Sequence, residues 1–167
     1  MGVTNAAIWF GGNVAIMFVA FTGFFSPEMK KLLSHEYYPG AVAQIIFQHF
    51  FTLQYCCGAI ALAHLIGGTF YPGRAVSRFR WWLLISTLAL IIFGGAIATP
   101  KLKDLHEKKY RDASEQIRRN AAGQLRKWHS ATQLANLLVI AGVGIYFWSV
   151  VHPPDTARFS SLTKFRG

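Results

Sequence analysis

The chain has 167 residues, 53% of them hydrophobic and only 14% charged, with a formal net charge of +10. Charges this sparse do not coat a soluble domain of that length, and the length leaves room for one domain and little more. The basic balance does not point to nucleic acid. No basic stripe alternates with exposed aromatics, and the cations sit just outside apolar runs, where each gains ~1 kcal/mol from anionic lipid headgroups.

Four apolar runs, at 6–26, 41–70, 81–99 and 128–151, contain no Asp, Glu, Lys or Arg. Each meets the ~20-residue requirement for crossing a ~30 Å hydrocarbon core. Backbone amides in hydrocarbon must be paired within their own segment, so the runs predict four transmembrane α-helices in an all-α bundle. The predicted domain is 1–151, followed by a polar tail at 152–167.

The first run lacks the basic flank and the small-residue cleavage site of a signal peptide, so it is expected to remain as helix 1. It closes at Ser26-Pro27, and a loop with Lys30 and Lys31 leads to the second run. That run carries Cys56 and Cys57 at adjacent helical positions, where side chains diverge, so they read as small apolar fillers. A turn at Tyr71-Pro72-Gly73, followed by Arg74, Arg78 and Arg80, returns the chain to the third run. Trp9, Tyr71, Trp81, Trp82, Trp128 and Trp148 lie near run ends, as an interfacial aromatic belt requires. Gly11-Gly12, Gly94-Gly95 and Gly142-Val143-Gly144 offer places for close helix approach.

Segment 100–127 is too long for a bare loop. Leu102, Leu105, Tyr110, Ala113, Ile117, Ala121, Leu125 and Trp128 recur at mostly three- or four-residue spacing, the period of one helical face. Thr99 before Pro100 reads as an N-cap with proline at the first helical position. The segment therefore predicts an amphipathic helical hairpin that turns near 120–123, with Tyr110, Ile117 and Leu125 against protein or the membrane surface. Four crossings put both termini on one side of the membrane. Counting Lys and Arg favours a cytoplasmic hairpin, but the short, acid-free turn at 74–80 favours cytoplasmic termini, and the second reading is preferred.

The chemistry-bearing residues gather at the hairpin face. The second run opens there with Gln44, Gln48 and Thr52 at i, i+4, i+8 and His49 beside them; the fourth opens with His129, Gln133 and Asn136 at i, i+4, i+7. At 1.5 Å per residue, Gln48/His49 and Gln133/Asn136 share a depth of roughly 8–12 Å. Polar stripes at one depth are costly against lipid, so they are expected to face inward and meet. Three readings follow: plain helix-to-helix hydrogen bonding, a ligand or lipid-headgroup pocket, or a haem or copper site with His49 and His129 as its imidazoles. No intramembrane carboxylate, phosphate-binding glycine loop or nucleophile triad accompanies them, which argues against a proton-coupled transporter or a hydrolase.

Trp9-Phe10-Gly11-Gly12, Phe25-Ser26-Pro27, the run from Pro39-Gly40-Ala41 to Gln44-Ile45-Ile46-Phe47, Thr99-Pro100-Lys101-Leu102 and Trp128-His129-Ser130 resemble a four-helix membrane family, domain of unknown function 4149. That family is similar to transmembrane protein 205. More remotely it is similar to copper-resistance-D-like bundles with haem-binding relatives, and that kinship is what implies a haem b alternative. With no metal-ligand or ionisable set complete, the leading expectation is a non-catalytic accessory or structural subunit of a larger membrane complex. It would sit among lipids and other membrane chains in the bacterial inner membrane. The alternative is a stand-alone protein binding a lipid, small molecule, haem or copper in the intrabundle pocket.

Overall fold

A computed structural model describes residues 2–24, 26–34, 36–70 and 77–152. Within it the chain forms α1 (Gly2–Val19), a π-helical turn π1 (Ala20–Phe24), α2 (Pro27–Leu32), α3 (Tyr37–Thr69), α4 (Arg78–Ile92), π2 (Phe93–Ala98), α5 (Thr99–Arg111) and α6 (Glu115–Val151). No strand occurs among the described residues. Four helical stretches are long and apolar enough to cross a membrane: Gly2–Val19, Tyr37–Thr69, Arg78–Arg111 and Glu115–Val151. The protein is thus a multi-pass integral membrane protein with an all-α bundle. The turn 71–76, with Tyr71 and Arg74, and the tail beyond His152 lie outside the described residues.

α1 packs on α3 and α6, and α4 packs on the same two, so α3 and α6 face each other across the diagonal of the bundle. Neighbours run antiparallel: Gly2 at the start of α1 sits beside His64 near the end of α3. The Arg80 guanidinium at the start of α4 donates to the Ser149 carbonyl near the end of α6 at 2.5 Å.

The tightest core lies at the end of the bundle where α1 begins. Trp9 is only 1% exposed and meets Tyr146 edge-on with ring centroids 6.0 Å apart; Cys57, Ala61, Leu84, Ile91 and Val143 surround them. Small residues set the helix distances. A Cβ on Gly142 would run into the Thr87 hydroxyl, which is why α4 and α6 approach so closely there. Large apolar side chains such as Phe18, Ile45, Trp82, Leu134 and Trp148 point outward, as a lipid-facing surface requires. Trp9 departs from the expected aromatic belt: it is a core residue, held inside by its indole N–H bond to Gln54.

The hairpin forms with two differences from the sequence expectation. Its turn lies at Asp112–Ser114 rather than 120–123, because the Asp112 carboxylate accepts the Ser114 amide at 2.9 Å and Ser114 then opens α6. Gly123 sits inside α6, where nothing lies within 4 Å of the place its Cβ would occupy. Secondly, α4, π2 and α5 run on without a break. Thr99 is helical, and its hydroxyl donates to the Gly94 carbonyl at 2.9 Å instead of capping. The π-turn carries the helix past Pro100, whose missing N–H would otherwise interrupt the ladder.

Candidate ligand-binding site

The polar interior of the bundle is built by α1 and α3. Asn5, Trp9 and Asn13 repeat at i, i+4, i+8 on one face of α1, and all three side chains donate to α3. Asn5 donates to the Cys57 carbonyl at 2.9 Å. Asn13 and Gln54 form a reciprocal amide pair, Gln54 Nε2 donating to Asn13 Oδ1 at 2.7 Å and Asn13 Nδ2 to Gln54 Oε1 at 3.2 Å. Gln54 Oε1 also accepts from the Trp9 indole. These groups are buried, and no buried side-chain polar atom among the described residues lacks a partner. The cluster is a satisfied rivet between two helices, with each contact worth around 0.6 kcal/mol and at most ~2.

Beyond that rivet, toward the hairpin face, α3 and α6 stand apart and leave a slot of about 160 Å³. Gln54 sits at its deep end. Phe47, Phe50, Phe51, Leu90, Ile91 and Val139 give it apolar walls, Gly94 and Thr99 bring in π2 and the start of α5, and Gln44, His129, Gln133 and Asn136 supply its polar groups. None of the described residues of α1 lines it. From His129 to Val139 it follows α6 for about 15 Å, half of a hydrocarbon core. Neither Gln44 nor Asn136 has a side-chain hydrogen-bond partner among the described residues. Gln133 Nε2 and His129 Nε2 lie 3.3 Å apart near the mouth.

The slot opens into a wider trough of about 740 Å³ between α3, α5 and α6, sharing Gln44, Phe47, Leu102 and His129 with it. Here the lining turns polar, with Glu36, His106, Lys109, Tyr110 and Arg126. His106 anchors this wall. Its ring packs at a tilt, with centroids 5.0 Å from Tyr37 and 4.9 Å from Tyr110, over Gly40, where a Cβ would collide with the imidazole. Burial, and then the Lys109 charge, lower its pKa below the ordinary 6.5, opposed by Glu107, so the folded protein favours neutral imidazole.

The sequence-predicted residues divide. Gln44, His129, Gln133 and Asn136 line the slot. Gln48, His49 and Thr52 do not: all three are exposed, and the Thr52 hydroxyl only bonds back to the Gln48 carbonyl at 3.3 Å. The inward face of α3 is set by Ala43, Phe50, Gln54, Cys57 and Ala61. At 3.6 residues per turn, His49, Gln48 and Thr52 fall roughly 110–170° from the centre of that face. His49 lines neither the slot nor the trough, whereas His129 lines both, so the two imidazoles do not share a cavity. No group of three His, Cys, Asp or Glu side chains suited to a metal occurs among the described residues. Sequence reasoning missed Asn5, Asn13, Gln54 and His106. The four-residue repeat of Asn5, Trp9 and Asn13 inside an apolar run was the available signal.

A family model described as "Domain of unknown function (DUF4149)" matches residues 5–111, from the α1 face carrying the amide rivet to the end of α5. The chain belongs to the DUF4149 family. No curated protein and no solved structure matches it. The matched region of this DUF4149 protein contains the rivet, the α3 and α4–π2 walls of the slot and the His106 wall of the trough, while the α6 wall lies outside it.

Proposed function

We propose that this DUF4149 protein is a non-catalytic membrane protein that binds an amphiphile, with the apolar part in the slot between α3 and α6 and the polar part in the trough. The continuity of an apolar slot at hydrocarbon depth with a polar trough at the hairpin face carries the reading. The unpartnered amides of Gln44 and Asn136 support it, because a polar group facing an apolar void costs free energy until a ligand or water pairs it. Purification in mild detergent followed by native mass spectrometry tests it. Wild-type protein should retain lipid-sized ligands that Ala135→Trp, which fills the slot, excludes. Equal retention by both proteins contradicts the reading.

The accessory-subunit reading rests on a different feature. The first turns of α6, residues 115–120, form an exposed arm, Ile117 among them at 43%. Such an arm suits docking to another chain, and stoichiometric co-purification of a second membrane protein that is lost on deleting residues 112–120 supports it. The proposed setting is the bacterial inner membrane with both chain termini cytoplasmic and the hairpin on the other side. Accessibility of single cysteines placed on the arm, labelled from outside intact cells, tests that sidedness.

A further inference from the structure

We infer that the trough is an oxyanion subsite in which Lys109 and Arg126 take the phosphate or carboxylate of the bound amphiphile's headgroup. The inference rests on the amphiphile reading above and goes on to name the ligand's charge. The trough is lined by two permanent cations, Lys109 from α5 and Arg126 from α6, against a single carboxylate, Glu36. Neither cation forms an ion pair among the described residues: the two bridges there join Lys108 to Asp104 and Arg119 to Glu115, away from the trough. Lys109 is held instead by neutral contacts, its ammonium 4.4 Å from the Tyr110 ring centroid and donating to the Tyr110 hydroxyl at 2.8 Å. A lysine kept on an aromatic face retains its full charge for a ligand, and a guanidinium offers forked donors matched to an oxyanion. Phe47 and Leu102 border both compartments, so a chain in the slot leads its headgroup between these two cations. Position adds to this, because the trough residues fall where the uncharged apolar runs of the sequence end, the depth at which headgroups are expected.

The test uses the full chain in nanodiscs of mixed phosphatidylcholine and phosphatidylglycerol, with native mass spectrometry of the retained lipid. Wild type should enrich the anionic lipid over the bilayer composition. Lys109→Gln and Arg126→Gln should each lower that enrichment about fivefold, the factor expected for one cation near the headgroups. Glu36→Gln should raise it. Arg119→Gln removes the same charge from the arm outside the trough and should leave enrichment unchanged. In a second arm, inorganic phosphate is titrated in. Competition seen in wild type and abolished in the two trough variants shows that the site also takes the free ion and supports the oxyanion assignment. Enrichment that is insensitive to Lys109→Gln and Arg126→Gln, or that falls equally in Arg119→Gln, overturns it. Total retained lipid separates the two claims. If Ala135→Trp empties the protein while the trough variants keep full anionic preference, only the headgroup assignment fails; if Ala135→Trp loses nothing, the amphiphile reading itself fails.

Discussion

Asn13 and Gln54 show how little polarity a membrane interior needs to fix helix register. Their reciprocal bonds use both amides, and the Trp9 indole completes Gln54 Oε1. Gln54→Leu strands Asn13 and Trp9 together, so it should cost about 1–3 kcal/mol and lower the unfolding temperature in detergent. The double variant Asn13→Leu/Gln54→Leu should cost less than the sum of the single changes, because fewer groups are left unsatisfied. Strict additivity in thermal unfolding would show that the pair does not couple. His106 carries the pH prediction. Its folded pKa lies below the ordinary 6.5, so the unfolded or undocked state binds the proton more readily. Docking of α5 against Tyr37 and Gly40 is therefore fully stable above about pH 6.5 and weakens as pH falls from there toward the lower folded value. Hydrogen exchange of residues 99–111 should accelerate on acidification in wild type and lose that dependence in His106→Phe, where Glu107 and Lys109 remain. An unchanged profile in the variant would assign the pH response elsewhere.

At the level of elements, the four spans were legible because hydrocarbon leaves a chain few choices: uncharged apolar runs of bilayer length become helices. The rotation of each helix was less legible. On α3 polarity alone suggested that Gln48, His49 and Thr52 face inward, yet the buried face follows the small and aromatic side chains at Ala43, Phe50, Cys57 and Ala61. Close packing chose the face, and the Thr52 hydroxyl is paired within its own helix by donating to the Gln48 carbonyl. On α6 the two criteria coincide, and Asn136 and Val139 both turn toward the slot. The hairpin turn was misplaced for a local reason, since the Asp112 side chain makes the turn while Gly123 is absorbed into a helix. Amide exchange should therefore be fast at 112–114 and slow at 120–123, and the opposite order would restore the turn expected from glycine. Close approach gives one further prediction. Gly142→Ala places a methyl on the Thr87 hydroxyl and should destabilise by about 1–3 kcal/mol. Adding Thr87→Ala should recover part of that loss, and a second variant no more stable than the first would place the strain elsewhere.

Across the whole molecule, the main buried cluster centres on Trp9 and Tyr146, and a slot separates α3 from α6 toward the hairpin face. Trp9, Tyr146, Leu84 and Val143 close the end where α1 begins. Toward the hairpin face, α3 and α6 diverge around the slot, and α5 folds over its mouth through Leu105 and His106, both buried. The membrane bundle and its helical hairpin could be read from the apolar runs and the period of 100–127. The slot could be read only in part, because its existence depends on which helices are diagonal, and no spacing in one chain reports that. The central claim is that an amphiphile occupies this slot. An experimental density map of the protein in lipid nanodiscs tests it most directly. The account predicts elongated density along α6 from Val139 to His129, ending between Lys109 and Arg126 and absent in Ala135→Trp. A slot closed by its own side chains, or filled only by water in the wild type, would contradict it.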